Sequence, residues 1–221
     1  MPGRYLIVED HPLFAEALQM IAKGKSSCND VTLVHSLQDA KAALERDKPF
    51  DLIILDLKLP DCRGFEGLLA LRIVAPKTPI VVVSAFASEI VKGKCLVLGA
   101  TAFIPKAATR DAMKSTFDQA ANRHHTSPEF GPSHHCCALT QQQMRVLQSI
   151  CMGMPNKMIA RQLDVVETTI KAHVSEVFRK LDVASRTQAV LEISRIEQAP
   201  CADEQAGSRV FLTAAEPLRP V

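Results

Sequence analysis

Five polar residues stand at the ends of apolar, β-rich runs in the first half of this 221-residue sequence. Glu9 and Asp10 follow the first run, Asp56 closes the third, Ser84 closes the fourth, and Lys106 follows the fifth. In open parallel sheets, ligands bind beyond the carboxyl ends of the strands. We therefore expect three carboxylates, a hydroxyl and an ammonium group to meet in one pocket.

The chemistry of this pocket follows from its charges. Three close carboxylates repel one another, and a hard divalent cation such as Mg²⁺, which takes octahedral oxygen ligands, relieves the repulsion. Asp56 is then placed as an oxygen nucleophile that forms an aspartyl phosphate. Mg²⁺, Lys106 and Ser84 would share the charge of the transferring group. A lone aspartate after a strand is usually a cap or turn residue, so the combination indicates the site.

The elements that must position these residues alternate regularly along residues 1–120. The predicted strands are 5–8, 31–34, 52–55, 80–83 and 101–104, and the predicted helices are 13–22, 37–46, 65–74, 87–98 and one from 109. Three strands are continuously apolar, as is typical of parallel strands covered on both faces. This rhythm predicts an α/β domain with a doubly wound, five-stranded parallel sheet. A 2-1-3-4-5 strand order places Asp10 and Asp56 on neighbouring strands.

The rest of the chain changes character. Residues 121–138 contain two prolines and a glycine and break every period, which predicts a linker. Residues 139–196 carry four helical patterns with short connections and predict a small all-α domain. Residues 197–221 contain three prolines and lack periodicity, so we expect a disordered tail.

Local signals set the predicted helix starts of the second domain. Thr140 with Gln143, and Ser185 with Gln188, form capping-box patterns. Asn156 is the predicted cap of a short helix over 157–163, and a turn at 164–165 leads to a longer helix over 167–181. Two helices joined by a tight turn suit insertion of the second one into the major groove of DNA.

The longer helix has two distinct faces. Ile170, Val174, Val177 and Leu181 fall at helical spacing and should face the core, whereas Lys171, Ser175 and Arg179 lie on another face with His173 beside them. An amphipathic helix with a few basic residues is most often only a solvated surface. This pattern alone therefore indicates DNA binding weakly.

The composition is compatible with a DNA-binding protein and argues against a membrane-spanning or disulfide-rich one. The net charge is +2, and residues 138–196 hold eight Lys and Arg against five Asp and Glu, which is mildly basic. No apolar run approaches the roughly 20 residues of a membrane helix. The first residues lack the features of a signal peptide, so we expect a cytoplasmic protein without membrane contact. Seven irregularly spaced cysteines indicate reduced thiols.

The first domain resembles the receiver domain of two-component response regulators, which is flavodoxin-like. The matching pieces are Val-Glu-Asp-His-Pro at 8–12, the run 51–64 around Asp56, Val-Ser-Ala at 83–85 and Phe-Ile-Pro-Lys at 103–106. The resemblance implies a sensor histidine kinase as partner and Asp56 as phosphoacceptor. It implies that Asp10, Asp56 and the backbone carbonyl of Lys58 ligate Mg²⁺, with Glu9 acting through water. It also implies that Ser84 and Lys106 contact the phosphoryl oxygens and that Phe103 is an aromatic switch.

The second domain resembles the LuxR-type helix-turn-helix of the NarL/FixJ class over residues 139–190. The resemblance implies that Thr168, Lys171, Ala172 and Ser175 face bases or backbone of promoter DNA, and that Lys157, Thr169 and Arg179 contact phosphates. It also implies that two copies pair through the last helix when the protein is phosphorylated. Val166 departs from the pattern, because the family commonly has Ser or Thr at this helix cap.

The sequence thus predicts a non-enzymatic response regulator whose phosphorylation controls sequence-specific DNA binding and transcription. Three alternatives stay open. A haloacid-dehalogenase-type phosphatase needs a second aspartate where this chain has Lys58. A receiver that signals only through protein contacts would have lost its DNA affinity. A metal- or redox-responsive regulator would use the linker cluster of His124, His125, His134, His135, Cys136 and Cys137.

Overall fold

A computed structural model describes residues 3–24, 28–46, 49–86, 88–122 and 138–195 of the chain. The predicted linker and tail, including the His/Cys cluster, lie outside these residues except at their edges. The strands are β1 (Gly3–Val8), β2 (Cys28–Val34), β3 (Leu52–Asp56), β4 (Ile80–Ser84) and β5 (Ala102–Pro105). The helices between and after them are α1 (Pro12–Lys23), α2 (Leu37–Arg46), α3 (Glu66–Val74), α4 (Glu89–Val97) and α5 (Arg110–Asn122).

The sheet has the predicted order, β2-β1-β3-β4-β5, and every pairing is parallel. Its register sets Val8 beside Leu55, Asp56 beside Val83, and Ser84 beside Pro105. The ends of β1, β3, β4 and β5 therefore lie side by side at one edge. This edge is where the polar residues of the sequence motif accumulate.

Alternating strand residues fill two separate cores. On one face, Leu6, Ile53 and Val82 belong to a buried cluster that includes residues of α2, α3 and α4. On the other face, Ile7, Ile54 and Val81 pack among residues of α1 and α5. Because both faces are covered, the strands read as continuous apolar runs rather than as an alternation.

The second domain consists of α6 (Gln141–Cys151), α7 (Asn156–Gln162), α8 (Glu167–Leu181) and α9 (Arg186–Ser194). Thr140 caps α6 through both halves of the predicted capping box with Gln143. In α8, Ile170, Val177 and Leu181 are buried and Val174 is half-buried, as predicted.

Two predicted helix caps differ from the structure. Asn156 is the first residue of α7 and not its cap, because Pro155 holds the capping position and its carbonyl accepts the N–H groups of Met158 and Ile159. The proline ring restricts the backbone angle φ just before the helix, so α7 can begin without a side chain that accepts an N–H. At α9, Ser185 accepts the Gln188 N–H as expected, but the Gln188 side chain accepts from Ala184 rather than from Ser185.

The two domains are packed against each other. The core on the α3 and α4 face continues into buried residues of the second domain, among them Met144, Leu147 and Ile193. The carbonyl of Val97 accepts the N–H of Leu139 at 2.8 Å, and the carbonyl of Ile73 accepts from the Gln141 side chain at 3.1 Å. In the described ranges, no helix is long and apolar enough to cross a membrane.

Candidate functional site

The acidic residues and the lysine meet at the carboxyl edge of the sheet. Glu9 and Asp56 are buried, and the Lys106 ammonium lies between them. Its Nζ is 2.8 Å from Asp56 Oδ2 and 2.8 Å from both carboxylate oxygens of Glu9. The backbone of Lys106 is anchored by its N–H, which donates to the Ser84 carbonyl at 2.8 Å. This arrangement follows from the strand order, because β5 brings Lys106 to the edge where β1 and β3 end.

The charges of this cluster shift one another. Burial raises the pKa of the Glu9 carboxyl, and the neighbouring Asp56 raises it further, although the hydrogen bond from Lys106 opposes both. Burial by itself lowers the pKa of Lys106, but hydrogen bonds to Asp56 and Glu9 outweigh it and the pKa is raised overall. The lysine therefore stays protonated and neutralises part of the acidic cluster.

Four side chains could hold a cation here. Glu9, Asp10, His11 and Asp56 each offer one ligand atom, and these atoms all lie within 4.8 Å of one another. In addition, Glu9 Oε2 is buried, and the partner it has within the described part of the chain is the Lys106 ammonium at 2.8 Å. A buried acidic set of this kind fits a divalent cation with oxygen ligands.

Ser84 and Phe103 occupy the predicted positions beside this cluster. Ser84 is fully buried, and its hydroxyl accepts the N–H of Phe86 at 3.2 Å. Phe103 is half-buried and packs against the core on the α4 face of the sheet. It lies on β5, beside Val82 of β4. Ser84 therefore lines the pocket in front of Asp56, whereas Phe103 contacts the core on the α4 face of the sheet.

The pocket in front of Asp56 also has walls that sequence reasoning did not single out. Lys58, Ser84 and Lys106 line it, as do His11, Leu13, Phe14, Ala85 and Phe86. The Phe14 ring lies 4.6 Å from the Lys106 ammonium, a distance at which a cation–π contact fixes the lysine from its solvent side. Leu13 is 84% exposed, so the pocket opens past an apolar rim.

Asp61 supports the site from the loop after β3. Its carboxylate accepts the N–H groups of Leu37 and Gln38, both at 2.9 Å. These are the first N–H groups of α2, so Asp61 caps a helix that begins 24 residues earlier in the chain. The loop that carries Lys58 is thereby tied to α2.

The predicted DNA-contacting residues are mostly exposed in the structure. Thr169 is half-buried and the other six are exposed, namely Lys157, Thr168, Lys171, Ala172, Ser175 and Arg179. The receiver-like domain therefore leaves this surface open. The Ser175 hydroxyl donates to the Lys171 carbonyl at 3.1 Å and is engaged by its own helix.

Two exposed basic side chains of α8 are paired with glutamates on the same helix. Lys171 Nζ lies 3.5 Å from Glu167, and an Arg179 nitrogen lies 2.8 Å from Glu176. The hydrogen bond and charge of Arg179 lower the pKa of the Glu176 carboxyl. Such exposed pairs contribute little to stability, so phosphate groups can compete for the basic partners.

The domain contact involves the last helix and the loop next to the site. Phe65 donates its N–H to the Ile193 carbonyl at 2.8 Å. The Ser194 hydroxyl donates to the Val190 carbonyl at 2.9 Å and lies 3.4 Å from the Glu66 carboxylate. Lys94 of α4 forms a half-buried ion pair with Glu192 of α9. Gly64, at φ +54°, lies so close that a Cβ there would be 2.4 Å from the Ile193 carbonyl oxygen.

Comparisons with known proteins agree with this architecture. The family model of the response regulator receiver domain matches residues 5–118, and that of the luxR family of bacterial regulatory proteins matches residues 137–193. The chain is 35% identical to the glycerol metabolism activator of Pseudomonas putida, covering 88% of this chain and 96% of that protein. It is 29% identical to the nitrate/nitrite response regulator protein NarL of Escherichia coli K12, covering 86% and 94%.

Solved structures share the fold. A signal receiver domain of a putative LuxO repressor protein from Vibrio parahaemolyticus is 30% identical, with a TM-score of 0.51, and the match covers 57% of this chain and 94% of that one. The RcsB response regulator of Salmonella typhimurium matches 86% of this chain and 96% of its own, at 16% identity and a TM-score of 0.50. The latter likeness concerns the fold alone.

A parallel five-stranded receiver domain followed by a helix-turn-helix domain defines a class of transcription regulators. The chain belongs to the two-component response regulators of the NarL/FixJ class, with a receiver domain and a LuxR-type DNA-binding domain. Members of this family work with a sensor kinase and with promoter DNA. The comparisons give no support to the phosphatase or to the metal- or redox-responsive alternative.

Proposed function

We propose that Asp56 accepts a phosphoryl group from a sensor histidine kinase and that this modification controls promoter binding by the second domain. The observation that carries the proposal is the contact of the Lys106 ammonium with Asp56 Oδ2 at 2.8 Å, inside a buried acidic cluster. A protonated lysine at this distance can bind the Asp56 carboxylate before phosphorylation and an oxygen of the phosphoryl group afterwards.

Each residue then has a definite role in the transfer. An oxygen of Asp56 forms the new bond to phosphorus as the bond between phosphorus and the donor imidazole breaks. Lys106 and the Ser84 hydroxyl bind phosphoryl oxygens, and Ser84 can donate its proton to the phosphoryl group while its oxygen accepts the Phe86 N–H. Asp10, Asp56 and the Lys58 carbonyl would hold Mg²⁺, with Glu9 acting through water. The cation would supply charge neutralisation of the phosphoryl oxygens.

The test of this step uses intact mass after incubation with a small phosphodonor and Mg²⁺. We expect the wild type to gain one phosphoryl group and Asp56→Asn to gain none. Asp61→Asn is the matched control, because Asp61 lies five residues later in the same loop and asparagine retains a capping oxygen for α2. Phosphorylation of Asp56→Asn, or its loss in Asp61→Asn alone, would contradict the assignment.

The DNA contacts need a separate test. We propose that Lys157, Thr169 and Arg179 contact phosphates and that Thr168, Lys171, Ala172 and Ser175 face bases or backbone of the DNA. Binding to promoter fragments should weaken as salt rises, and Lys171→Ala should reduce both affinity and salt dependence. Lys92→Ala removes an exposed charge from α4 of the receiver and serves as control. A protein without salt-dependent DNA binding would favour the alternative of signalling through protein contacts.

The contact between the domains suggests how the signal travels. Because the docked receiver leaves the DNA-contacting surface open but binds the end of α9, we propose that phosphorylation acts on pairing through α9. Ser84 and Phe103 would move toward the phosphoryl group, shift the α4 face and release Lys94 from Glu192. The protein would then bind promoter DNA as a homodimer. Moving such an equilibrium from 1:99 to 99:1 requires roughly 5.5 kcal/mol of differential stabilisation.

The domain bounds belong to this proposal. We propose a receiver domain over 1–120, a linker over 121–138, a DNA-binding domain over 139–196 and a tail over 197–221. Helix α5 continues to Asn122, two residues past the proposed end of the receiver. The cytoplasmic location stays a prediction.

A further inference from the structure

Phe14 is an aromatic wall of the pocket in front of Asp56. It stands in the first turn of α1, and its helical spacing from Leu18 and Ile21 puts it on the stripe that is buried in the core of the α1 and α5 face. Phe14 packs against that core but is only half-buried, and it lines the pocket. Its ring is therefore anchored by the core and open to the pocket at the same time.

The ring contacts the Lys106 ammonium. Lys106 Nζ lies over the Phe14 ring, 4.6 Å from the centroid, while Asp56 and Glu9 each bind the same nitrogen at 2.8 Å. An ammonium group has three N–H donors, and its positive charge is attracted to the negative face of an aromatic ring. Two carboxylates and one ring thus hold this ammonium.

Phosphorylation would change the carboxylate contacts of Lys106 but not its contact with the ring. When Asp56 forms a bond to phosphorus, the negative charge passes to the phosphoryl oxygens, and the ammonium has to bind one of these oxygens. Glu9 keeps its charge and attracts the ammonium back into the acidic cluster. The ring of Phe14 carries no net charge and lines the pocket, so it attracts the ammonium toward the pocket before and after the transfer.

We propose that Phe14 is a positioning residue for phosphoryl transfer, whose cation–π contact holds the Lys106 ammonium within reach of the phosphoryl oxygens. This inference rests on the proposed phosphorylation of Asp56. The contact raises the rate of transfer because the ammonium is already in place when the phosphodonor enters. A side chain that only fills the core would act through its size and not through the charge distribution of its ring.

The test replaces Phe14 in the full-length protein by mono-, di- and trifluorinated phenylalanine. Fluorine withdraws electron density from the ring face in steps while the ring nearly keeps its shape. The rate of Asp56 phosphorylation is followed by intact mass, with phosphoramidate as the phosphodonor and Mg²⁺ present. We expect the rate to fall with each fluorine, by about two- to fivefold for the trifluorinated ring, which corresponds to the loss of an exposed cation–π contact. Phe14→Leu should be at least as slow.

Phe50 provides a matched control. The Arg4 guanidinium lies over the Phe50 ring, 4.9 Å from its centroid, near the starts of β1 and β3 and thus at the opposite edge of the sheet. The same fluorinated residues at Phe50 weaken a contact of the same kind and should leave the rate unchanged. A second control places fluorinated Phe14 in the Lys106→Ala variant, where fluorine should have no further effect because the ammonium is gone.

The outcomes separate this inference from the function on which it rests. Equal rates across the fluorinated series, with Phe14→Leu alone slow, would show that Phe14 acts by packing and overturn the inference. A fluorine effect that is as large at Phe50, or that persists in Lys106→Ala, overturns it as well. Absence of Asp56-dependent phosphorylation in the wild type overturns the proposed function itself.

Discussion

The backbone N–H of Phe65 donates to the carbonyl of Ile193 at 2.8 Å. Phe65 lies in the segment that leads from Asp56 to α3, and Ile193 lies near the end of the last helix. One hydrogen bond thus connects the surroundings of the proposed phosphoacceptor Asp56 to the helix through which two copies are proposed to pair. A change of loop conformation on phosphorylation can act on α9 directly.

Gly64 makes this contact possible, and Gly64→Ala should disrupt it. A Cβ at this position would be 2.4 Å from the Ile193 carbonyl oxygen, in a left-handed conformation that also disfavours alanine. We expect faster amide hydrogen exchange at Phe65 and Leu139, whose N–H groups both cross the domain boundary.

The control for this variant is Gly153→Ala. Gly153 has a φ of +78°, and a Cβ at this position would have no heavy atom within 4 Å. Alanine there is therefore strained by the left-handed backbone conformation but creates no steric clash. Equal exchange rates at Phe65 in both variants would mean that the domains are not held by this contact.

Glu176→Gln should strengthen DNA binding. In the structure Glu176 binds Arg179 at 2.8 Å, and its negative charge also repels DNA phosphates. Removing the charge weakens the competition between Glu176 and a DNA phosphate for Arg179, and it should raise both affinity and the slope of affinity against salt. Fluorescence anisotropy with a promoter fragment over a salt series measures both. Glu89→Gln, which removes the partner of Lys92 on the receiver, should change neither quantity.

Val166→Ser should stabilise the second domain. Val166 caps α8 with extended backbone angles and offers no side-chain acceptor, although it is 67% exposed and loses little burial on substitution. A serine hydroxyl can accept an N–H of the first turn, which contributes roughly 1 kcal/mol. Urea unfolding of the full chain followed by circular dichroism measures the gain. Val166→Ala, which adds no acceptor, should show none, and an equal gain would rule out capping as the cause.

The described thiols should be slow to react at neutral pH. Burial raises the pKa of Cys62 and Cys151 to about 11 and that of Cys95 to about 12. At pH 8 only about one Cys62 thiol in a thousand is then a thiolate, compared with roughly one in four in an unfolded chain. Alkylation followed by peptide mass spectrometry should show slow labelling that speeds up toward pH 11 and in urea.

The raised pKa values of these thiols also predict how the free energy of unfolding changes with pH. A thiol with a raised folded-state pKa favours folding while it is protonated, and that contribution is lost as pH rises from about 9 toward the folded-state value. Rapid native labelling of Cys62 at pH 7 would contradict this account.

The acidic cluster could be predicted from the sequence because its geometry depends on one rule. Parallel strands end at a common edge, so the strand order alone brings Glu9, Asp56 and Lys106 together. The core face of α8 could also be predicted, because Ile170, Val177 and Leu181 recur at helical spacing. Sequence patterns were sufficient to predict those features that depend on the geometry of a single strand or helix.

Contacts between distant segments could not be predicted in this way. Asp61 caps α2 from a loop that follows it in the chain, whereas capping patterns consider only residues next to the helix. Pro155 occupies the cap that was assigned to Asn156, because a proline can start a helix without a side-chain acceptor. The bond of Phe65 to Ile193 depends on which surfaces of two domains meet, and periodicity carries no information about this.

Asp56 is the residue on which the account depends, and its replacement by asparagine gives the most direct test. The measurement is DNA affinity and oligomer size of the wild type and Asp56→Asn, each with and without a small phosphodonor and Mg²⁺. We predict that the donor increases promoter affinity and dimer content of the wild type and leaves Asp56→Asn unchanged. An identical response of the two proteins would contradict the proposed switch.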